Sequence, residues 1–246
     1  MSAVTAFIIN ADDLGYDPGV TRGILEAMGR GVVGSCTFMV NTPHSEAAAR
    51  ACPGDAAVGL HLNLARWKPL GSVAPEKLDA GGAFVEAKVA SLTADEVHRE
   101  ARAQLARLEA LLGRPATHVD VHKHLHRHPQ VLAGLIRAAL ETGLPVRSMD
   151  AGTRVALRKA GVRTNDVMLG DAGAEAYWTL PTLEAELAKL PEVHVVELMC
   201  HPGYRPEVER SGYAAQREVE LATFTSEKAR ALLQGLPLTD WRALAR

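Results

Sequence analysis

The chain has 246 residues, 47% of them hydrophobic and 23% charged, which is globular composition and excludes a disordered chain. A formal net charge of −2 gives no electrostatic case for nucleic acid or an anionic membrane surface as partner. No apolar run approaches the ~18 residues that span a bilayer, and no basic segment followed by a long apolar stretch marks a signal peptide.

The three cysteines, Cys36, Cys52 and Cys200, are widely spaced and odd in number. They point to a reducing compartment, and a cytoplasmic location is expected; a disulfide framework or thiolate zinc site is not.

In chain order, Ala6 to Asn10 reads as a buried strand that runs into Ala11-Asp12-Asp13-Leu14-Gly15. Val20 to Arg30 spaces Val20, Ile24, Ala27 and Met28 on one helical face, with Gly31 as the cap. A strand is expected across Val33 to Val40 and a short helix over Ser45 to Ala51. Residues Ala57 to Leu64 then alternate in strand fashion and carry His61. Trp67 to Ala90 holds two prolines and three glycines and is expected as a long loop facing substrate.

Thr93-Ala-Asp-Glu96 is a capping box opening a helix to Leu112, with Gly113 and Pro115 ending it. The next segment, His118-Val-Asp120-Val-His122-Lys-His124-Leu-His126, holds four histidines and an aspartate at every second position. Read as a strand, it turns all five to one side, an arrangement suited to a divalent metal or a polar substrate. Pro129 begins a helix through Ala139. Val146 to Met149 and Val167 to Leu169 are weaker strand candidates, and a helix is expected over Thr182 to Leu190. Val193 to Cys200 is a strand ending at His201-Pro-Gly, and Ser226 to Gln234 reads as a helix capped by Gly235. Alternating strands and helices favour a parallel sheet or barrel.

Three of these segments bear on chemistry. Paired buried carboxylates, Asp12 and Asp13, repel each other unless a cation sits beside them. His61 lies among apolar residues on a strand. His201 falls where a strand ends, the edge at which parallel α/β folds gather catalytic groups, and histidine donates protons near neutral pH.

Taken together, Asn10-Ala-Asp-Asp-Leu-Gly15, Gly59-Leu-His61, Thr117 to His126 and Met199-Cys-His-Pro-Gly203 resemble the YdjC-type carbohydrate deacetylases, the ChbG and HpnK group. The resemblance runs from Phe7 to about Tyr204 with the motifs in matching order. It implies a single-domain TIM-like β/α barrel, regular or irregular, over residues 1–246, and a divalent metal used to remove acetyl groups from N-acetylated sugars. Carried across, Asp13, His61 and His122 fall at the metal-ligand positions, Asp12 at the general base and His201 at the general acid. His124 and Tyr204 are candidates for substrate contact, and Asp120 for orienting a ligand histidine. Lys123 stands where the family often has histidine and Leu14 where it often has phenylalanine, which bears on the identity of the sugar.

Magnesium is implied by the resemblance, whereas two imidazoles and a carboxylate suit zinc, cobalt or manganese. With aromatics at 4%, a short oligosaccharide or sugar conjugate is expected over a long polysaccharide, with Trp67, Trp178 or Tyr204 available for stacking. A homodimer is expected by analogy. The rival readings are another barrel metal hydrolase, a phosphoesterase or cyclic-amide hydrolase, and a non-catalytic carbohydrate-binding protein.

Overall fold

In the computed structural model, which describes residues 4–244, the first apolar run forms strand β1 (Ala6–Leu14), and all nine of its residues are buried. Burial on both faces is what a continuous apolar strand at the centre of a parallel sheet requires. β1 pairs in parallel with β2 (Ser35–Phe38) on one side and β6 (Val195–Cys200) on the other. From β2 the sheet continues to β3 (Ala57–Leu62) and β4 (Val119–Val121), and from β6 to β5 (Val167–Leu169). The strand order is β4-β3-β2-β1-β6-β5, with a two-residue β7 (Leu238–Thr239) beside Phe7 and Ile8 of β1.

The helices are α1 (Pro18–Arg30), α2 (Ser45–Ala51), α3 (Ala94–Leu112), α4 (Pro129–Thr142), α5 (Ala151–Lys159), α6 (Leu180–Leu187), α7 (Ala215–Thr225) and α8 (Glu227–Leu232). No helix among the described residues is long and apolar enough to cross a membrane. α1 begins two residues before the expected start because Asp17 accepts from the Gly19 N–H at 2.7 Å and Pro18 occupies the first turn. The capping box at α3 forms in both directions: Glu96 N–H donates to Thr93 Oγ1 at 3.2 Å and Thr93 N–H to Glu96 Oε2 at 2.8 Å.

The expected TIM-like barrel is realised in part, as an irregular, incomplete one. Six strands lie on one hydrogen-bonded path, a parallel half-barrel in place of eight regular strands. Between β4 and β5 the ladder gives way to scattered bonds. Arg147 N–H donates to the Val119 carbonyl at 3.0 Å, while Ser148 N–H goes to the side chain of Asn165 at 2.7 Å. Pro145 has no donor, and Asn165 substitutes a side chain for backbone pairing, so Val146 to Met149 forms only a single bridge, at Val146. The helices α5 and α7 were not among the expected elements.

The histidine segment also departs from expectation. β4 stops at Val121, and Lys123 (φ 56°) and His124 (φ 50°) adopt left-handed backbone within a 3-10 turn over His122–Arg127. Left-handed geometry at two side-chain-bearing residues costs on the order of 1–3 kcal/mol each. It ends the two-residue alternation, so the five polar side chains do not share a strand face. His118 instead stacks on Trp241, ring centroids 4.7 Å apart, and His126 is buried.

Candidate active site

The carboxyl ends of the parallel strands converge on a cavity of about 570 Å³. Asp12 and Asp13 arrive from β1, His61 from β3, His122 and His124 from the turn after β4, and His201 from the end of β6; all six line the cavity. Consecutive residues of a regular strand point to opposite faces. Asp12 and Asp13 reach the same cavity because the β1–β2 register shifts between Ala11 and Leu14, and Asp13 takes φ 77°. This local irregularity re-aims a side chain, as bulges at active sites do.

Asp13 Oδ1, His61 Nε2 and His122 Nδ1 form a triangle with all three sides 3.2 Å. That is the spacing of three ligands about 2.1 Å from one ion when the angle at the ion is about 100°. Asp13 Oδ1 is buried and makes no hydrogen bond, so the triangle leaves an acceptor unsatisfied. Asp120 Oδ1 accepts from His61 Nδ1 at 2.5 Å, which turns Nε2 toward Asp13 and His122.

The surrounding charge has the same bias. Four buried carboxylates, Asp12, Asp13, Asp120 and Glu197, face two buried guanidiniums, Arg147 and Arg217. Burial alone lowers the His61 imidazole, but Asp120, Asp13 and Asp12 outweigh it and push it up to about 10. A proton on His61 thus supplies positive charge where the donor set calls for a cation. The residues present fit a divalent metal held by Asp13, His61 and His122.

Asp12 is held differently. Arg147 Nη1 donates to its Oδ2 at 2.6 Å and Nη2 to its Oδ1 at 2.7 Å, and Asn10 Nδ2 donates to Oδ1 at 2.9 Å. Burial would raise this carboxyl, yet Arg147 holds it well below the usual carboxylate range. The Thr37 hydroxyl sits between Asp12 and Asp120, at 3.2 and 3.0 Å.

His201 is fixed through its backbone: its N–H donates to Glu220 Oε2 at 2.5 Å, and Glu220 also accepts from the Tyr213 hydroxyl. Burial pushes the His201 imidazole down to about 4, and Nδ1 is buried without a partner. His124 is likewise lowered to about 4 by burial.

Tyr204 is not brought to the cavity. It lies on the outer side of α1, where its hydroxyl donates to Glu26 Oε2 at 2.6 Å. Trp178, a stacking candidate, is fully buried, and its Nε1 donates to the Met199 carbonyl at 2.7 Å. The long loop over 67–90 contributes nothing to the cavity wall; it meets the site through Glu86, which accepts from the wall residue Lys123 at 2.5 Å. Tyr213 and Arg217, from the segment before α7 and from α7 itself, take part instead. Sequence reasoning missed Arg147, Arg217, Thr37 and Glu220. For two of them a signal exists: Arg217, Glu220, Leu221 and Phe224 fall on one helical face that mixes charge with apolar bulk.

A family model described as YdjC-like protein matches residues 6–235. The chain belongs to the YdjC family. Relatives include the chitooligosaccharide deacetylase of Serratia marcescens, 34% identical over 239 residues, 92% of this chain and 93% of that protein. The carbohydrate deacetylase of Geobacillus stearothermophilus is 37% identical over 225 residues, covering 89% of this chain and 88% of that protein. Among solved structures, a candidate cellobiose-phosphate cleavage protein from Enterococcus faecalis V583 superposes with a TM-score of 0.86 at 28% identity, over 99% of this chain and 100% of that chain. The fold extends beyond the YdjC family to a family 4 acetyl xylan esterase of Clostridium thermocellum, at TM-score 0.51 and 12% identity, over 97% of this chain and 89% of that chain.

Proposed function

We propose that this protein is a metal-dependent carbohydrate deacetylase, which hydrolyses the acetamido group of an N-acetylated sugar or short oligosaccharide to acetate and an amino sugar. The observation that carries the reading is the 3.2 Å triangle of Asp13, His61 and His122, opening on a cavity shared with a clamped carboxylate and an imidazole. The relatives, deacetylases by name, support the same substrate chemistry. Because these groups come from residue 12 to residue 217, we take the whole chain as one catalytic domain.

Asp13, His61 and His122 hold the cation; zinc, cobalt or manganese suits two imidazoles and a carboxylate, and magnesium follows from the resemblance. When bound, it supplies Lewis acidity toward the amide oxygen and a more acidic water. Asp12 is the general base. Arg147 keeps it anionic and oriented. His201, which lines the same cavity from the end of β6, is the general acid. It protonates the departing nitrogen, which leaves as an amine and not as an amide anion. His124 lines the cavity with a buried, unpartnered Nδ1 and offers a hydrogen bond to a sugar hydroxyl. The cavity volume of about 570 Å³ suits one or two sugar rings.

The test is acetate release from a panel of N-acetylated mono- and disaccharides. Equimolar acetate and free amine from at least one member is expected. No acetate from any member, by protein that binds zinc stoichiometrically, rejects the reading.

A further inference from the structure

The two buried guanidiniums of the site are not equivalent. Arg147 uses all three nitrogens: Nε and Nη2 reach Glu197 at 2.8 and 2.7 Å, and Nη1 and Nη2 reach Asp12. Arg217 is only 3% exposed and is fixed on most sides. Its Nε donates to the Tyr213 carbonyl at 2.9 Å and its Nη2 to Asp13 Oδ2 at 2.6 Å, while the rings of Tyr16 and Tyr213 each stand 5.9 Å from its central carbon. Nη1 alone is buried with no partner, in a residue that lines the cavity. A buried donor left unsatisfied is costly, and more so when charged. That deficit points to an acceptor that arrives with the ligand.

We infer that Arg217 Nη1 is the carboxylate-binding donor of this site. It takes an oxygen of the acetyl group as that group becomes acetate, and small monocarboxylates are therefore ligands in their own right. The inference rests on the deacetylase reading for its ligand. In that hydrolysis, water oxygen bonds to the acetyl carbon and the C–N bond breaks with its electron pair going to nitrogen. Nitrogen takes both of the water's protons and leaves as an ammonium, and the acetyl group departs as an anionic carboxylate; no oxidant or reductant enters. Negative charge grows on the acetyl oxygens along this course, so a guanidinium N–H donated to them binds product and late transition state better than the neutral amide. The other fork of the same guanidinium holds Asp13, which ties the anion subsite to a metal ligand.

The test is calorimetric titration of sodium acetate into the zinc-loaded full chain, wild type, R217K and R217Q, with zinc affinity measured separately on each. Lysine keeps the charge but cannot hold Asp13 and reach a second acceptor. Acetate affinity is expected to fall at least tenfold in both variants, while zinc affinity in R217K stays within threefold. Unchanged acetate binding, or a loss that tracks an equal loss of zinc, overturns the inference and leaves Arg217 with a purely positioning role. Should the variants fail to fold, a wild-type crystal soaked in acetate decides: an acetate oxygen within hydrogen-bond distance of Nη1 supports it, and a cavity without acetate there overturns it. Acetate bound at Nη1 in a protein that releases none from any N-acetylated sugar keeps the subsite and rejects the deacetylase reading.

Discussion

Arg147 grips Asp12 in a two-point fork, Nη1 to Oδ2 at 2.6 Å and Nη2 to Oδ1 at 2.7 Å, with both side chains buried. The two residues are 135 positions apart in sequence. Their pairing explains how a carboxylate persists as an anion beside Asp13 and Asp120. Breaking one partner of such a buried pair leaves an uncompensated charge, which costs about 3–5 kcal/mol.

For Asp12→Asn we therefore expect acetate release to disappear while zinc still binds, because the ligand triangle lacks Asp12. The amide also presents N–H groups to a guanidinium, and stability should fall by roughly 2–4 kcal/mol. Denaturant unfolding and zinc calorimetry on the same preparation check both parts. Full acetate release by this variant would remove Asp12 from the base role.

Metal binding should appear as stability. A ligand that binds only the folded chain stabilises it by about 2.7 kcal/mol at a hundredfold excess over Kd, which for a chain of this size raises Tm by roughly 5–10 °C. We expect zinc to do this for wild type and to do little for His61→Ala or His122→Ala. Scanning calorimetry with and without zinc reads it directly, and an equal rise in all three proteins would place the ion elsewhere.

Glu96 gives a pH signature away from the site. Burial raises its carboxyl, but Lys77 at 2.6 Å, the N–H groups of Thr93 and Ala74 and the Thr93 hydroxyl outweigh that and hold it at about 2. Its folded pKa lies below the unfolded model value of 4.5. The stabilisation is therefore complete above about pH 4.5 and is lost as pH falls toward 2. Glu96→Gln should cost about 1–2 kcal/mol at pH 7, and the gap to wild type should narrow as pH falls from 4.5 toward 2. A gap independent of pH would assign the effect to packing.

Gly23 on α1 lies against the segment after His201. A Cβ there would meet Gly203 Cα at 2.4 Å and Tyr204 N at 2.7 Å, both backbone atoms that cannot swing aside. Gly23→Ala should cost roughly 1–3 kcal/mol. By displacing that segment it should also lower kcat more than zinc affinity. Steady-state kinetics beside zinc calorimetry separates the two.

The strands that carry Asp12, Asp13, His61 and His201 were legible because buried parallel strands are continuous apolar runs, and polar residues at their carboxyl ends stand out. The side chains that hold those groups were not. Arg147 pairs with Asp12, and Arg217 pairs with Asp13 across 204 positions; neither contact leaves a local pattern. The strand reading of His118 to His126 failed at Lys123 and His124, where two left-handed residues break the alternation without a glycine to announce it. Tyr204 follows His201 closely in sequence, but the chain turns across Gly203 and delivers its ring to the outer face of α1. The barrel expectation held for the parallel strands and stops at the edge, where Pro145 and the Asn165 side chain displace regular pairing.

The most direct measurement is acetate release by metal-stripped protein from N-acetylated sugars, with zinc, cobalt, manganese or magnesium added back, for wild type and His122→Ala. We expect no acetate without metal, recovery with at least one ion, and no recovery in the variant at the same ion concentration. Acetate released at full rate by the stripped protein, or by His122→Ala, would contradict a metal held by Asp13, His61 and His122 as the centre of this site.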